Sequence, residues 1–222
     1  MDYTPIIISV RTACVSIVVT FILGLAAAKW VVSLKTKWLR TVLDGLFTLP
    51  LVLPPTVAGF LLLYVFGLKR PFGKLLAEVF GVKVPFSWAA TVLAAVVVSF
   101  PLMYRASRGA IEQVDPELVE SARSMGANEW VVFTRVTVPV AGPGILTGIV
   151  LAFVRGLGEF GATTMIAGNI SGKTRTLPLA VYSEVAAGNM GTAGIYVLML
   201  VVISFLAVVA LNIFGEKRGV IH

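Results

Sequence analysis

Arg155 and Glu159 stand four residues apart in the otherwise apolar run 142–167. On a helix that spacing puts them on one face, within reach of each other. Such a pair in apolar surroundings can be an ion pair that ties helices together, or a charged station beside a path for a solute. A charge near mid-membrane costs about 2.5–3.5 kcal/mol on the insertion scale, so it rarely faces lipid. A bare Glu159 in an anion path would repel the anion, which favours its pairing with Arg155 or another cation. One turn on, Thr163 and Thr164 carry hydroxyls that could donate to an oxyanion or to the carbonyls of their own helix. The small residues Gly156, Gly158, Gly161 and Ala162 admit another helix at close range.

A second constellation runs Asp115-Pro116-Glu117-Leu118-Val119-Glu120-Ser121-Ala122-Arg123-Ser124-Met125-Gly126. Asp115 suits an N-cap and Pro116 the first helical position. Glu117 and Glu120 complement the positive helix start, and Gly126 suits the left-handed residue that closes the helix. Asn128 is placed to cap a second helix that Pro139 ends. Leu118, Ala122 and Met125 share one face of this short amphipathic helix. It either packs under its own bundle or docks into a groove of another protein. A third feature is Pro50, Pro54 and Pro55 within one apolar run. Each removes a backbone donor and clashes with the preceding turn, so the run breaks or kinks there, beside a translocation path or as a packing kink.

Other chemistries are poorly served. The nearest approach to a phosphate-binding loop, Gly168 to Thr174, has three residues between its glycines where four are required. It reads as a polar surface loop. The single histidine is His222 at the C-terminal end, the single cysteine is Cys14 in an apolar run, and no carboxylate cluster suits a metal. We expect no enzyme active site, no metal and no cofactor; any ATP hydrolysis belongs to another chain.

The elements that must position these residues are membrane spans. Of 222 residues, 58% are apolar and 13% charged, with a mean hydropathy of +0.95. Soluble domains carry about a quarter charged residues, so this chain needs lipid as solvent. Five stretches reach the roughly 20 apolar residues of a spanning helix: 6–28, 42–66, 87–104, 142–167 and 194–214. The first is read as a retained span, because no basic region or cleavage site accompanies it. Residues 72–80 place Phe72, Leu75, Leu76, Val79 and Phe80 on one helical face suited to a membrane surface, and 176–190 can form another short helix. Either could be re-entrant. The net charge of +7 falls mainly between spans, where it sets topology rather than binding nucleic acid. With the N-terminus outside, ten lysines and arginines lie inside and six outside, making segment 105–141 and the C-terminus cytoplasmic.

The loop resembles the EAA motif of ABC importer permeases: Glu-Ala-Ala, three residues, Gly, nine residues, Ile-x-Leu-Pro. This chain has Glu120-Ser121-Ala122, three residues, Gly126, nine residues, then Val136-Thr137-Val138-Pro139. Ser121 and the two valines are mild departures. The stretches Leu49 to Gly59, Ser99 to Met103 and Gly158 to Ala162 are similar to the molybdate branch of these permeases, with sulfate and thiosulfate permeases as close relatives. The resemblance covers nearly the whole chain. It implies one all-α permease domain over 1–222, a polytopic transmembrane bundle of the type I importer kind, with a coupling segment at 105–141. It implies docking of an ATP-binding subunit on Glu120, Ser121, Ala122, Arg123 and Gly126. Arg155, Glu159, Thr163, Thr164, Pro54 and Pro55 are the candidates for the translocation path or its gate. The implied assembly is a homodimer in a prokaryotic cell membrane with two ATP-binding cassette subunits and an extracytoplasmic molybdate-binding protein. Sulfate or thiosulfate is the alternative cargo. An ion-coupled secondary transporter is the rival class, but no internal repeat and only one clear mid-span carboxylate support it.

Overall fold

The computed structural model describes residues 2–216, all helix and connecting turn; Lys217, Arg218 and His222 lie outside the described residues. Eleven helices follow one another: α1 (Thr4–Ser33), α2 (Lys37–Val52), α3 (Pro55–Phe66), α4 (Pro71–Phe80), α5 (Trp88–Glu112), α6 (Pro116–Ser124), α7 (Glu129–Val140), α8 (Gly142–Leu157), α9 (Gly161–Ala167), α10 (Leu177–Ala186) and α11 (Met190–Glu216). Three of them, α1, α5 and α11, are unbroken and long and apolar enough to cross a membrane. Two bent pairs, α2 with α3 and α7 with α8, bring the number to at most five, each pair counted as one crossing.

The expected second span is two helices meeting at 111°. Pro54 and Pro55 cause the break: Leu53 and Pro54 are extended, and Pro55 starts the next helix. Pro50 is absorbed within α2. The third span overruns its expected end at 104 and reaches Glu112, so the connecting segment begins at 113. The fourth breaks at Gly158-Glu159-Phe160 into α8 and α9. The helix expected over 72–80 is α4, held to the end of α3 by an edge-on contact of Phe66 and Phe72 at 5.2 Å. The one expected over 176–190 is the shorter α10.

α5 is the central post. Against α1 it makes a polar ladder that hydropathy alone hides. Thr91 spends its hydroxyl hydrogen on the Trp88 carbonyl, so Thr12 donates to Thr91 at 3.0 Å and accepts the Trp88 indole N–H at 3.0 Å. Ser99 likewise donates to the Ala95 carbonyl, leaving Thr20 to donate to Ser99 at 3.1 Å. Interhelical bonds of this kind average about 0.6 kcal/mol each in a bilayer. Against α8 the contact is made by small residues four apart, Gly144, Gly148, Ala152 and Gly156. A Cβ on Gly144 would lie 2.5 Å from Ala110 Cβ, and one on Gly148 2.8 Å from Ala106 Cβ. α3 approaches α9 equally closely, since a Cβ on Gly59 would lie 2.6 Å from Ala162 Cα. The Ala162 backbone and Met165 Cβ block that position, and neither moves with a rotamer change.

Gly59→Leu is therefore expected to lower thermal stability of the purified protein by an overpacking cost of about 1–3 kcal/mol or more. Gly191→Ala, with nothing within 4 Å of the added methyl, is expected to be neutral. Tryptophan-fluorescence melting in detergent checks both.

Candidate functional site

The α6–α7 end of the bundle is a rigid capped unit. The Asp115 carboxylate accepts the Glu117 amide at 2.9 Å, and Asn128 Oδ1 accepts the Val131 amide at 2.9 Å. Gly126, at φ +82°, closes α6. Its amide donates to the Arg123 carbonyl at 2.9 Å and the Ala127 amide to the Ala122 carbonyl at 3.2 Å, a Schellman closure. Arg123 then grips Glu129 with two parallel bonds, Nε to Oε1 at 2.7 Å and a second guanidinium nitrogen to Oε2 at 3.1 Å. The hydrogen bond from Arg123 holds the Glu129 carboxyl below its ordinary range, and the bond to Glu129 holds the Arg123 guanidinium above its own. A depressed carboxyl stabilises the pair above the ordinary glutamate range and loses that stabilisation as pH falls through it.

The faces of α6 differ from the expected pattern. Leu118 and Met125 are 48% and 81% exposed, but Ala122 is 5% exposed and turned with Val119 toward the chain's own core. Glu120, Ser121 and Gly126 stand on the exposed side. Trp130 is also exposed on its outer side, while Lys29 at the end of α1 lies 4.9 Å from its ring and 4.2 Å from that of Phe133. These cation–π contacts tie α1 to α7. α7 widens to a π turn over Phe133–Thr137. The cause lies just beyond: Pro139 has no N–H, and its ring would press on the carbonyl four residues back.

A charge chain crosses from α2 to α5 at the same end. Arg108 bridges Asp44 and Glu112, Glu112 also takes Arg40, and Tyr104 donates to Asp44 at 3.0 Å. In the sequence Arg40 and Arg108 read only as topology signals; Glu112 lies one turn from Arg108, but the links between α2 and α5 join residues 60 or more apart. Beside this chain is a cleft of about 460 Å³ between α5 and α8, lined by Arg105, Gln113 and Thr147 among small residues, with no carboxylate. Among the described residues Arg105 makes no ion pair.

The α2–α3 break and the α8–α9 break meet one another. Gly161 sits at the α2–α3 break, where a Cβ would lie 3.0 Å from Pro55 Cβ and 3.2 Å from the Thr56 amide nitrogen. Arg155 and Glu159 pair at 2.7 Å, with Glu159 only 2% exposed. The second Glu159 oxygen accepts the Ala162 amide at 2.6 Å and so caps the freed start of α9. Thr164 donates to its own Phe160 carbonyl at 2.7 Å, and Thr163 is buried. The pair, the threonines, Pro54 and Pro55 thus form one locus, and the α6 residues form another at the α6–α7 end. In the Gly168–Thr174 loop the amides of Lys173, Thr174 and Arg175 all turn onto the Ile170 carbonyl at 2.9–3.1 Å, leaving no phosphate cradle.

A bundle with two broken crossings and a capped helix pair protruding at one end is the architecture of ABC importer permeases. A chain of the inward-facing MetNI methionine ABC transporter superposes with a TM-score of 0.74 at 17% identity, covering 96% of this chain and 94% of that one. A chain of the bacterial alginate ABC transporter in complex with its alginate-bound periplasmic protein gives 0.77 at 15% identity, covering 96% and 78%. The chain belongs to the family of binding-protein-dependent transport system inner membrane components, whose model matches residues 20–219. Among curated relatives, the molybdenum transport system permease protein ModB of Escherichia coli K12 is 40% identical over 90% of this chain and 87% of its own length. ModB of Azotobacter vinelandii is 34% identical over 98% and 95%. YvgM of Bacillus subtilis, whose name assigns it provisionally to molybdenum transport, is 44% identical over 92% and 89%.

Nothing crowds the Cβ position at Gly126, so Gly126→Val acts through backbone strain alone. A left-handed non-glycine residue costs about 1–2 kcal/mol. Hydrogen exchange of the α6 amides is expected to speed by roughly tenfold, with Gly126→Asn affected less.

Proposed function

We propose that this chain is the pore-forming subunit of an ATP-driven importer for molybdate, and tungstate with it. The observation that carries the cargo is the naming of relatives 34–40% identical to it as molybdenum permeases. Molybdenum in those names favours molybdate over sulfate or thiosulfate. The family supports partners of two kinds, an ATPase and a substrate-binding protein. In this reading two copies of the chain enclose the path between them, two ATP-binding cassette subunits dock on the two α6 helices, and an extracytoplasmic binding protein delivers the anion. The N-terminus lies outside and α6 in the cytoplasm, as the ten-to-six distribution of cations favours. ATP is hydrolysed by the partner, not by this chain.

Physical features of the α6 unit support the docking role of Glu120, Ser121, Ala122, Arg123 and Gly126. Leu118 and Met125 offer an apolar surface, with Glu120 and Ser121 beside it. Ala122 serves from beneath: a larger side chain there would lift the helix, and Val119 with it, off the α1–α5 core. Both caps and the Arg123–Glu129 fork keep α6 and the start of α7 moving as one body. A push on that body reaches α1 through Lys29 and α8 through α7, which meets α8 at 74°.

For the path, the α5–α8 cleft supplies what a doubly charged oxyanion needs near the cytoplasm. Arg105 brings an unspent cation, and Gln113 and Thr147 bring polar groups without a carboxylate. Glu159 does not oppose the anion, because Arg155 and the Ala162 amide hold both its oxygens. The contact of Pro55 with Gly161, next to Pro54, is the hinge about which α2 and α3 gate the path. Thr163 and Thr164 build that hinge rather than donate to the anion.

The reading is tested with the permease–ATPase complex and its binding protein in liposomes, following ATP hydrolysis with molybdate, tungstate, sulfate and thiosulfate in turn. Stimulation by molybdate and tungstate only is the expected result; stimulation by sulfate or thiosulfate instead overturns the cargo. In the same liposomes Arg105→Gln is expected to lower molybdate uptake about tenfold, the worth of one charge-assisted contact, with Arg105→Lys in between.

A further inference from the structure

The turn between α3 and α4 holds a second cationic feature with no place in the transport cycle above. Lys69, Arg70, Lys74 and Lys83 fall within 15 residues, on the side where the distribution of cations puts the outside. Only Lys74 has an acidic partner among the described residues, Glu78 at 3.6 Å. So many free cations on that face run against the positive-inside rule and call for an anion.

The adjoining surface indicates which anion. A groove of about 410 Å³ runs along α3, walled by Phe60, Leu63, Tyr64, Leu68 and Phe86 and rimmed by Lys69 and Arg70, with no carboxylate. The Arg70 guanidinium carbon lies 3.7 Å from the Tyr64 ring centroid. Stacking that way occupies the face of the guanidinium and leaves its edge donors free for a phosphodiester. α4 starts at the same point with no side-chain cap, adding the positive end of a ten-residue helix. Its exposed Phe72, Leu75, Val79 and Phe80 form the apolar face of an interfacial helix, which sets the groove at headgroup level. An inorganic anion would gain the cations but would lie against an unfavourable aromatic wall. An amphiphile satisfies both halves.

We infer that this groove binds an anionic phospholipid, its phosphodiester on Arg70 and Lys69 and the start of an acyl chain against Phe60, Leu63 and Tyr64. The site is independent of the cargo. It fixes the height of α4, and through the Phe66–Phe72 contact the height of α3, at the outer membrane surface.

The test is native mass spectrometry of the purified full chain, incubated with dioleoyl-phosphatidylglycerol or dioleoyl-phosphatidylcholine. The wild type is expected to retain phosphatidylglycerol about tenfold more than phosphatidylcholine, as two cations near a headgroup allow. Lys69→Gln/Arg70→Gln is expected to abolish the difference. Leu68→Trp, which fills the groove but keeps both charges, is expected to reduce retention too. Equal retention of the two lipids by the wild type overturns the site, as does undiminished preference in both variants. If the double variant keeps its lipid but loses ATP hydrolysis stimulated by the binding protein, the inference also falls, and the cations belong to protein docking.

Discussion

Glu159 is the most constrained charge in this bundle. It is nearly fully buried, and both its oxygens are committed, one to Arg155 and the other to the Ala162 amide. A hydrocarbon solvent offers no water to an interrupted helix, so each freed backbone group must find a partner within the protein. The break at Gly158-Glu159-Phe160 is tolerable because the residue that causes charge trouble also resolves the backbone trouble. The other break, at Pro54-Pro55, is tolerable because it is packed against the first: Gly161 gives room for Pro55, and Gly59 gives room for Ala162. Removing the carboxylate would leave the guanidinium and the α9 amide unpaired together, and would loosen the surface against which the α2–α3 break packs.

The rest of the bundle holds this pair of breaks between stiff contacts and one separately braced end. α5 is fixed to α1 by hydroxyl pairs and to α8 by glycines and Ala152, contacts that resist sliding because they are short or directional. α6 and α7 are joined less to the spans than to each other, through the Schellman closure, two side-chain caps and the Arg123–Glu129 fork. Their links outward are the Lys29 contacts, the packing of Val119 and Ala122, and the π turn that runs into α8. The α2–α5 charge chain adds a further link, reversible because ion pairs can be exchanged more cheaply than packed backbone.

Much of this was legible in the sequence, and for physical reasons. Helix caps use few residue types at fixed offsets, so Asp115, Pro116, Gly126 and Asn128 announced α6 and α7. An i, i+4 pair of opposite charges in an apolar run has almost nowhere else to go, so Arg155 and Glu159 found each other. Three prolines in six residues announced a break, although its 111° angle is set by what α3 packs against. What stayed hidden depends on partners far apart in the chain. Asp44 lies midway along α2 and Glu112 is the last residue of α5, and neither position announces a partner on the other helix. Thr12, Thr20, Thr91 and Ser99 look innocuous in apolar runs, though hydroxyls every four or eight residues on two spans are a signal for a polar ladder. Gly144, Gly148, Ala152 and Gly156 form a small-residue spacing that could have been read directly. Periodicity groups Ala122 with Leu118 and Met125, but a nine-residue helix gives periodicity too few turns to tell its two apolar edges apart.

Charge placement follows from the same low-dielectric constraint. Within the spans the acid is neutralised on the spot, so no net negative field stands across the bundle. Cations without partners occur instead at its two ends, Arg105 at one and Lys69 and Arg70 at the other. A span can carry an unpaired cation there because a long side chain reaches water or a headgroup from near the helix end, as a short carboxylate does not. For an importer of a dianion this asymmetry has a consequence beyond solubility. On the proposed reading, free positive charge attracts the cargo or a lipid phosphate at the membrane faces, and paired charge in between offers no well deep enough to trap it.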